Sequence, residues 1–288
     1  EDEHVQFTVT RLPHVSMDGL WESLVYAEPI PETILRIITR MLRICKEPTL
    51  NPSIIHWHNL ILLHGPPGSG KTTLAHALAQ KLSIRLAQSF IATNLVEVNS
   101  HTLLSKWFGE SSKLVGKLFD TISCISSDET LLTVVIIDEV ETLASSREKA
   151  SRANECSDAI RSTNEFLQGL DRMRKRPNVV FICTSNLQDN TDEAFMDRCG
   201  IKRFIDSPNV ECAYEIFRSV VNELIKSGFV TFQPPDTVNM QSSEGYTMPE
   251  ASPPGLDPSL GLGRVLLWIA RAAKGLSGRT LRRLPMLA

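Results

Sequence analysis

The sequence predicts an α/β fold: a parallel sheet covered by helices, followed by a smaller helical unit. Three observations carry that expectation. The apolar run Leu60-Ile61-Leu62-Leu63 leads into the turn Gly65-Pro66-Pro67-Gly68-Ser69-Gly70-Lys71-Thr72, and good helix formers continue from Thr73 to Lys81. The β-branched run Val134-Val135-Ile136-Ile137 reads as a fully buried parallel strand that ends in Asp138 and Glu139. The run from Asn178 to Thr184 repeats that signature. Helical patterns separate the strands, and such βα alternation builds a parallel sheet with helices on both faces.

Taken in order, residues 1–26 read as an incoming linker of mixed polarity. From Ile34 to Ile44 the apolar residues Ile34, Leu35, Ile37, Ile38, Met41 and Leu42 recur at helical spacing. The glycine-rich turn and its strand and helix come next, then a strand around Leu95-Val96-Glu97-Val98 and a helix near Lys113–Ile125. The Asp138 strand, a helix from about Ser157 to Leu170 and the strand ending at Thr184 complete a large domain assigned to residues 27–208. A helical segment opens at 209–227 and resumes at Arg264–Lys274, giving a small domain over 209–288. Between them, residues 231–263 hold Pro234, Pro235, Pro249, Pro253, Pro254 and Pro258, a density that predicts a disordered insert. No internal repeat is visible.

The turn fits G-x-x-x-x-G-K-S/T in the strand-turn-helix setting that the motif requires. Backbone N–H groups of such a turn converge on phosphates, and the dipole of the following helix favours negative charge. Gly65, Pro66, Pro67, Gly68, Ser69 and Gly70 would form the cradle, Lys71 would reach the β- and γ-phosphates, and the Thr72 hydroxyl would bind Mg²⁺. The complete motif in this context argues against a ligand-free tight turn. Asp138 stands at the carboxyl end of its strand, where open α/β sheets place ligand chemistry, and would hold the same Mg²⁺. Glu139 would then polarise the attacking water as a general base. A strand ending in Asp-Glu is, taken alone, equally a solvated strand end; with the phosphate loop it points to nucleotide hydrolysis rather than mere binding. Asn186, after Thr184-Ser185, is either a turn residue or an amide that senses the γ-phosphate.

Composition sets the outer bounds. The 288 residues are 42% hydrophobic, enough for one large or two smaller cores, and the net charge of −3 gives no bias toward nucleic acid or anionic membranes. Six cysteines (Cys45, Cys124, Cys156, Cys183, Cys199, Cys212) are scattered without a C-x-x-C pair, which favours a reducing, intracellular compartment. No apolar run approaches membrane-spanning length, and Glu1-Asp2-Glu3 does not open a signal peptide. The chain does not begin with Met, as a fragment or processed protein would not.

Gly65–Thr72, Ile137-Asp138-Glu139, Thr184-Ser185-Asn186 and Gly275-Leu276-Ser277-Gly278-Arg279 occur in the order and approximate spacing of an AAA+ ATPase. Three further stretches, Gly19–Tyr26, Ser100–Phe108 and Gly275–Pro285, resemble the pachytene checkpoint protein 2 family, which includes the animal thyroid-receptor-interacting AAA+ ATPase. The likeness covers about residues 11–228 and 265–288. It implies a homohexameric ATPase, dependent on ATP and Mg²⁺, that remodels HORMA-domain proteins presented by an adaptor. Meiotic chromosome-axis control and spindle-checkpoint regulation are the implied roles, in the nucleus at chromosomes and also in the cytoplasm. Direct nucleic-acid binding and membrane association are not implied.

The resemblance also assigns residues. Lys106-Trp107-Phe108-Gly109 matches the family's pore loop, in which Trp107 and Phe108 would grip an extended substrate; without the likeness, two core aromatics are the better reading. Arg198 matches an arginine finger that reaches the neighbouring subunit's ATP, worth on the order of 10³–10⁵ in rate in comparable enzymes. Cys199-Gly200-Ile201 supplies no second arginine. Arg279 matches a sensor arginine that ties the small domain to the γ-phosphate; a surface ion pair is the alternative for both arginines. The family's N-terminal recruiting domain is expected to be missing, with 1–26 as its exit linker, and the lid to stop short at Ala288. Two rival functions are a nucleic-acid motor or clamp loader and a module whose ATP gates assembly without turnover. The basic run Arg172–Arg176 is short and follows a helix, which disfavours the first; Glu139 and Asn186 disfavour the second.

Overall fold

The computed structural model describes residues 7–47, 58–100, 103, 111–144, 157–186, 191–231 and 262–287. Two compact units emerge, one of residues 1–24 and 29–206 and the other of residues 25–28 and 207–288.

The first unit is built on a six-stranded sheet. Its strands are β1 (Phe7–Leu12), β2 (Leu60–His64), β3 (Ala92–Val98), β4 (Leu131–Ile137), β5 (Val179–Ser185) and β6 (Ile201–Phe204), in the order β1-β3-β4-β5-β2-β6. All neighbours are parallel except β1 and β3, whose antiparallel register pairs Phe7 with Val98 and Leu12 with Thr93. Residues 7–12, read from sequence as linker, are therefore an edge strand of the sheet. Their pattern is half-exposed, as edge position allows, so the strand lacks the apolar run that marks its buried neighbours.

Among the described residues five helices accompany the sheet: α1 (Ile30–Cys45), α2 (Lys71–Arg85), α3 (Ser111–Ile125), α4 (Ser157–Met173) and the short α5 (Glu193–Arg198). Alternate strand residues face opposite layers. Leu60, Leu62, Val96, Val98, Val135, Ile137, Phe181 and Cys183 share one core with Val115, Leu118, Phe119 and Ile122 of α3 and Phe166, Leu167, Leu170 and Met173 of α4. The intervening Ile61, Leu63, Val134, Ile136, Val180 and Ile182 are equally buried and face the side on which α2 lies against β3, β4 and β5. α1 packs on α2 through Ile34, Leu35, Ile38 and Leu42, each almost fully enclosed. A parallel sheet buried on both faces explains why its central strands read as unbroken apolar runs.

The second unit holds α6 (Val210–Lys226), α7 (Leu262–Ala272) and α8 (Gly278–Leu287). Asn209 caps α6 by accepting the Cys212 N–H at 2.8 Å. Ala213, Ile216, Phe217, Leu266, Ala270, Ala273 and Leu281 form its core, with Val25 of the preceding connection packed against them. Val25–Glu28 thus belongs to this small unit rather than to linker or large domain. Of the proline-rich stretch 231–263, only Thr231 and the first two residues of α7 fall among the described residues.

Candidate functional site

The carboxyl ends of β2, β4 and β5 lie side by side, which brings three separate segments to one edge of the sheet. β2 ends at His64, whose carbonyl accepts the Ile205 N–H at 2.8 Å, and the next N–H, of Gly65, donates to the Ser185 carbonyl at 3.2 Å. The loop therefore leaves the sheet pinned between β5 and the end of β6. A Cβ on Gly65 would fall 2.1 Å from the Ile205 carbonyl oxygen, at a φ of +150°, so only glycine fits. Gly70 caps α2 in the left-handed region (φ 94°), which turns the chain into a helix whose first N–H groups have no intrahelical acceptor. Pro66 and Pro67 contribute fixed φ angles rather than donors.

Lys71 is buried, 5% exposed, and its Nζ donates to the carbonyls of Gly65 at 2.9 Å and Pro66 at 2.8 Å. The ammonium is thereby drawn back over the loop instead of projecting into solvent. The adjacent His64 ring, stacked at a tilt on Phe204, is held neutral to lower pH than usual, first by burial and then by the Lys71 charge.

One residue on, the Thr72 hydroxyl donates to Asp138, 3.0 Å from Oδ1 and 3.2 Å from Oδ2. The Thr184 hydroxyl also donates to Asp138 Oδ1 while accepting the Glu139 N–H at 3.2 Å. Ser100 Oγ fixes the Asp138 carbonyl at 2.7 Å. Hydroxyl and carboxylate oxygens at this spacing are the hard donors that Mg²⁺ takes from a protein, with phosphate and water completing its octahedron. Thr72 and Asp138 thus fit that ion. Among the described residues no group of three or more His, Cys, Asp or Glu converges, so no all-protein metal cage competes with this arrangement.

Glu139 adopts φ 52° and ψ 52°, the left-handed region, with no glycine to make it free. Such a conformation costs on the order of 1–3 kcal/mol and persists where the surroundings impose it. Here Thr184 holds its N–H, and its carbonyl accepts both the N–H and the hydroxyl of Thr142, at 3.0 and 2.9 Å. The turn aims the Glu139 carboxylate toward β5, where Asn186 Nδ2 donates to Oε1 across a long 3.5 Å contact. The Asn186 N–H donates to Glu141 Oε1 at 3.0 Å, which anchors the residue. A carboxylate held this way can accept a proton from a water lying in front of the loop, while the amide orients both.

Six site elements expected from sequence are thus brought to one edge: the 65–70 loop, Lys71, Thr72, Asp138, Glu139 and Asn186. Arg198 is not among them. It ends α5 next to the amino end of β2, where the Gly200 N–H donates to the Leu60 carbonyl. β2 puts about 13 Å between that end and the phosphate loop. The guanidinium is held by Asp171 in a bidentate pair, Nε to Oδ1 at 2.9 Å and Nη2 to Oδ2 at 2.8 Å, and Nη1 donates to the Ala194 carbonyl at 2.6 Å. Arg279 is exposed in the first turn of α8, in the second unit. Trp107 and Phe108 lie outside the described residues.

Four residues that motif reading passed over belong to the site. Thr184 was visible only as a strand end, yet the β4–β5 register that pairs Ile137 with Cys183 places it beside Asp138. Ser100 and Glu141 act through single hydrogen bonds that no spacing announces. His76, one turn into α2, donates from Nδ1 to the Thr72 carbonyl at 2.8 Å and meets Glu97 Oε1 at 2.5 Å through Nε2.

Comparison with known proteins agrees with this geometry. Residues 61–207 match the model of the ATPase family associated with various cellular activities (AAA), and residues 209–288 match the TRIP13-like AAA+ ATPase lid C-terminal domain. The pachytene checkpoint protein 2 homolog of Oryza sativa subsp. indica is 42% identical over all of this chain and 62% of its own length. The human homolog is 39% identical over 96% of this chain and 62% of its own length. The chain therefore spans about three fifths of the length of these relatives. The structure of C. elegans PCH-2 superposes with a TM-score of 0.80 at 35% identity, covering 100% of this chain and 70% of that one. A chain of the E. coli MS115-1 HORMA:CdnC:Trip13 complex shares the fold at a TM-score of 0.63 and 19% identity, covering 76% of this chain and 79% of that one. With an AAA+ large domain, a TRIP13-like lid and relatives of this similarity, the chain belongs to the pachytene checkpoint protein 2 family of AAA+ ATPases.

Proposed function

We propose that this chain is the ATP-hydrolysing core of a homohexameric remodeller of HORMA-domain proteins, which an adaptor presents to it. The observation that supports this reading best is the hydrogen-bonded group of Thr72, Asp138, Thr184 and Glu139 at the mouth of the phosphate loop. In it, Lys71 and the loop N–H groups bind and orient the triphosphate. Thr72 and Asp138 would hold Mg²⁺, which would supply positive charge against the phosphates. Glu139 takes the proton of the attacking water, and Asn186 holds that carboxylate in line. Arg198 acts from outside its own nucleotide site, on the ATP of an adjacent copy, once Asp171 gives it up. Arg279 carries the state of the γ-phosphate to the helical lid, and Trp107 and Phe108 grip the substrate chain in the central pore.

The TRIP13-like lid, together with the fold shared with a chain of the E. coli MS115-1 HORMA:CdnC:Trip13 complex, supports the substrate class. Meiotic chromosome-axis control and spindle-checkpoint regulation follow as the settings, with the nucleus as principal location and the cytoplasm as a second. Substrate contacts run through protein, not nucleic acid or membrane. The test is conversion of a HORMA-domain protein by this chain, with ATP, Mg²⁺ and an adaptor, read by the mobility of the substrate. ATP-dependent conversion that stops in Glu139→Gln supports the reading. Robust ATP turnover with no change in any HORMA substrate removes the substrate assignment and leaves the ATPase.

A further inference from the structure

We propose that the arginine-lined cleft between α1 and the end of α2 is a binding site for a compact anion bearing two or more phosphate groups, the chemistry shared by inositol polyphosphates and phosphoinositide headgroups. The cleft has a volume of about 360 Å³ and is lined by Arg36, Thr39, Arg40, Arg43 and Arg85. That volume lies within the range of small-ligand sites, about 300–1,000 Å³.

The local geometry follows from α1's amphipathic pattern. Ile34, Leu35, Ile38 and Leu42 turn inward, so Arg36, Arg40 and Arg43, at i, i+4 and i+7, form one exposed stripe. Seven residues of helix carry that stripe about 10 Å. Arg85, in the last turn of α2, closes the cleft from the other side, since α1 and α2 pack together. The Thr39 hydroxyl in its floor spends its proton on the Leu35 carbonyl at 2.7 Å, so the guanidiniums are the donors that face the cavity.

Three arginines of this chain pair with a carboxylate: Arg172 with Asp120, Arg198 with Asp171 and Arg218 with Glu215. Arg36, Arg40, Arg43 and Arg85 meet no carboxylate among the described residues, although the chain holds 33 Asp and Glu against 30 Lys and Arg. Helix-end compensation accounts for Arg43 and Arg85, which sit in last turns, but not for Arg36 or Arg40 in the body of α1. Four like charges around one cavity repel one another until an anion enters. All four are arginine, whose planar fork pairs bidentately with phosphate, where lysine offers only a point charge.

Two features separate this anion from nucleic acid: no aromatic side chain lines the cleft to stack a base, and the chain as a whole is acidic. The site is also distinct from the nucleotide site. Arg85 and Lys71 stand at opposite ends of the 15-residue α2, about 21 Å apart along its axis.

The test is calorimetric titration of the full chain with inositol hexakisphosphate at 0.15 M salt, with a non-hydrolysable ATP analogue saturating the phosphate loop. One ligand should bind per chain, and R40E/R43E should weaken it at least 30-fold while nucleotide affinity and melting temperature stay as in the parent. Should charge reversal unfold the chain, R40Q/R43Q is expected to weaken binding at least fivefold. Vesicles with and without phosphatidylinositol bisphosphate separate the sources. Capture only by the bisphosphate vesicles, competed by the free ligand, assigns the lipid headgroup, and binding of the free ligand alone assigns a soluble polyphosphate. The proposal is overturned by undiminished binding in both variants or by loss of binding when the nucleotide analogue is present. It is likewise overturned if a polyglutamate peptide or single-stranded DNA binds the same arginines more tightly than inositol hexakisphosphate.

Discussion

The Thr72 hydroxyl donates to Asp138 Oδ1 across 3.0 Å, although 66 residues separate them in the chain. That bond joins the first turn of α2 to the end of β4. Thr184 reaches the same carboxylate from β5 and holds the Glu139 N–H with its remaining capacity. One threonine on a neighbouring strand therefore couples the Asp138 carboxylate to the backbone of Glu139.

Thr184→Val keeps volume and β-branching but removes both hydrogen bonds. Asp138 then loses a fixed orientation, and the strained Glu139 turn loses its N–H acceptor. Turnover of ATP should fall about 10–100-fold, the usual loss when a partner behind a metal ligand is removed. Nucleotide affinity should change less than turnover, because Lys71 and the loop are untouched. Equal kcat in the variant and the parent would show that Thr184 does not position either carboxylate. Thr184→Ser, which restores the hydroxyl, should recover most of the rate.

Arg198→Ala should leave ATP binding intact and remove most turnover. Mixing it with Glu139→Gln chains should restore part of the activity, because the two intact groups can meet at one interface between copies. Two inactive variants that never complement would place Arg198 in a purely structural pair with Asp171. An exposed pair of that kind is worth under about 1 kcal/mol, so Arg198→Ala should barely shift the melting temperature.

Trp107→Ala should spare basal ATPase and abolish conversion of a HORMA substrate, since the proposed function makes grip and phosphate chemistry separate sites linked by motion between subunits. Conversion at the parental rate would return Trp107 to a core or surface role.

Thiol accessibility offers an independent check of the core. Burial pushes the Cys199 thiol up to about 12 and that of Cys183 well above its ordinary value, whereas Cys124 is exposed. At pH 8, iodoacetamide should therefore label Cys124 in the folded chain and spare Cys183 and Cys199 until denaturant is added. Rapid labelling of Cys183 in the native protein, read by mass spectrometry, would contradict its place in the β5 core.

His64 gives the corresponding pH dependence. Its folded pKa is depressed by burial and by Lys71, so above about pH 6.5 the ring is neutral in folded and unfolded chains alike. As pH falls below that value, the unfolded chain takes up a proton that the folded chain resists, and stability declines. Urea midpoints at pH 7.5 and 5.5 should differ less in His64→Gln than in the parent. An unchanged difference would mean that His64 does not contribute.

What the sequence disclosed follows from how local each feature is. The phosphate loop is legible because glycine positions, lysine and threonine are consecutive, and Asp138-Glu139 because they end an unbroken β-branched run. The helix expected at Lys113–Ile125 begins two residues earlier, at Ser111, and the strand expected at Leu95–Val98 begins at Ala92. β1 was illegible because an edge strand needs no continuous apolar run. The roles of Thr184 and Ser100 arise from strand register and a single long-range bond, which one-dimensional spacing does not encode. Arg198 could be named from resemblance, but its bidentate bond to Asp171, 27 residues away, is visible only in three dimensions.

The most direct measurement compares Lys71→Ala and Glu139→Gln for both ATP affinity and phosphate release. On the proposed mechanism Lys71 contacts ground-state phosphates, whereas Glu139 acts as the proton leaves the attacking water. Lys71→Ala should lose nucleotide binding and turnover together. Glu139→Gln should keep parental affinity while phosphate release falls about 100-fold or more, the span of one general base. Equal loss of ATP affinity in both variants, or parental phosphate release in Glu139→Gln, would contradict ATP hydrolysis at this site.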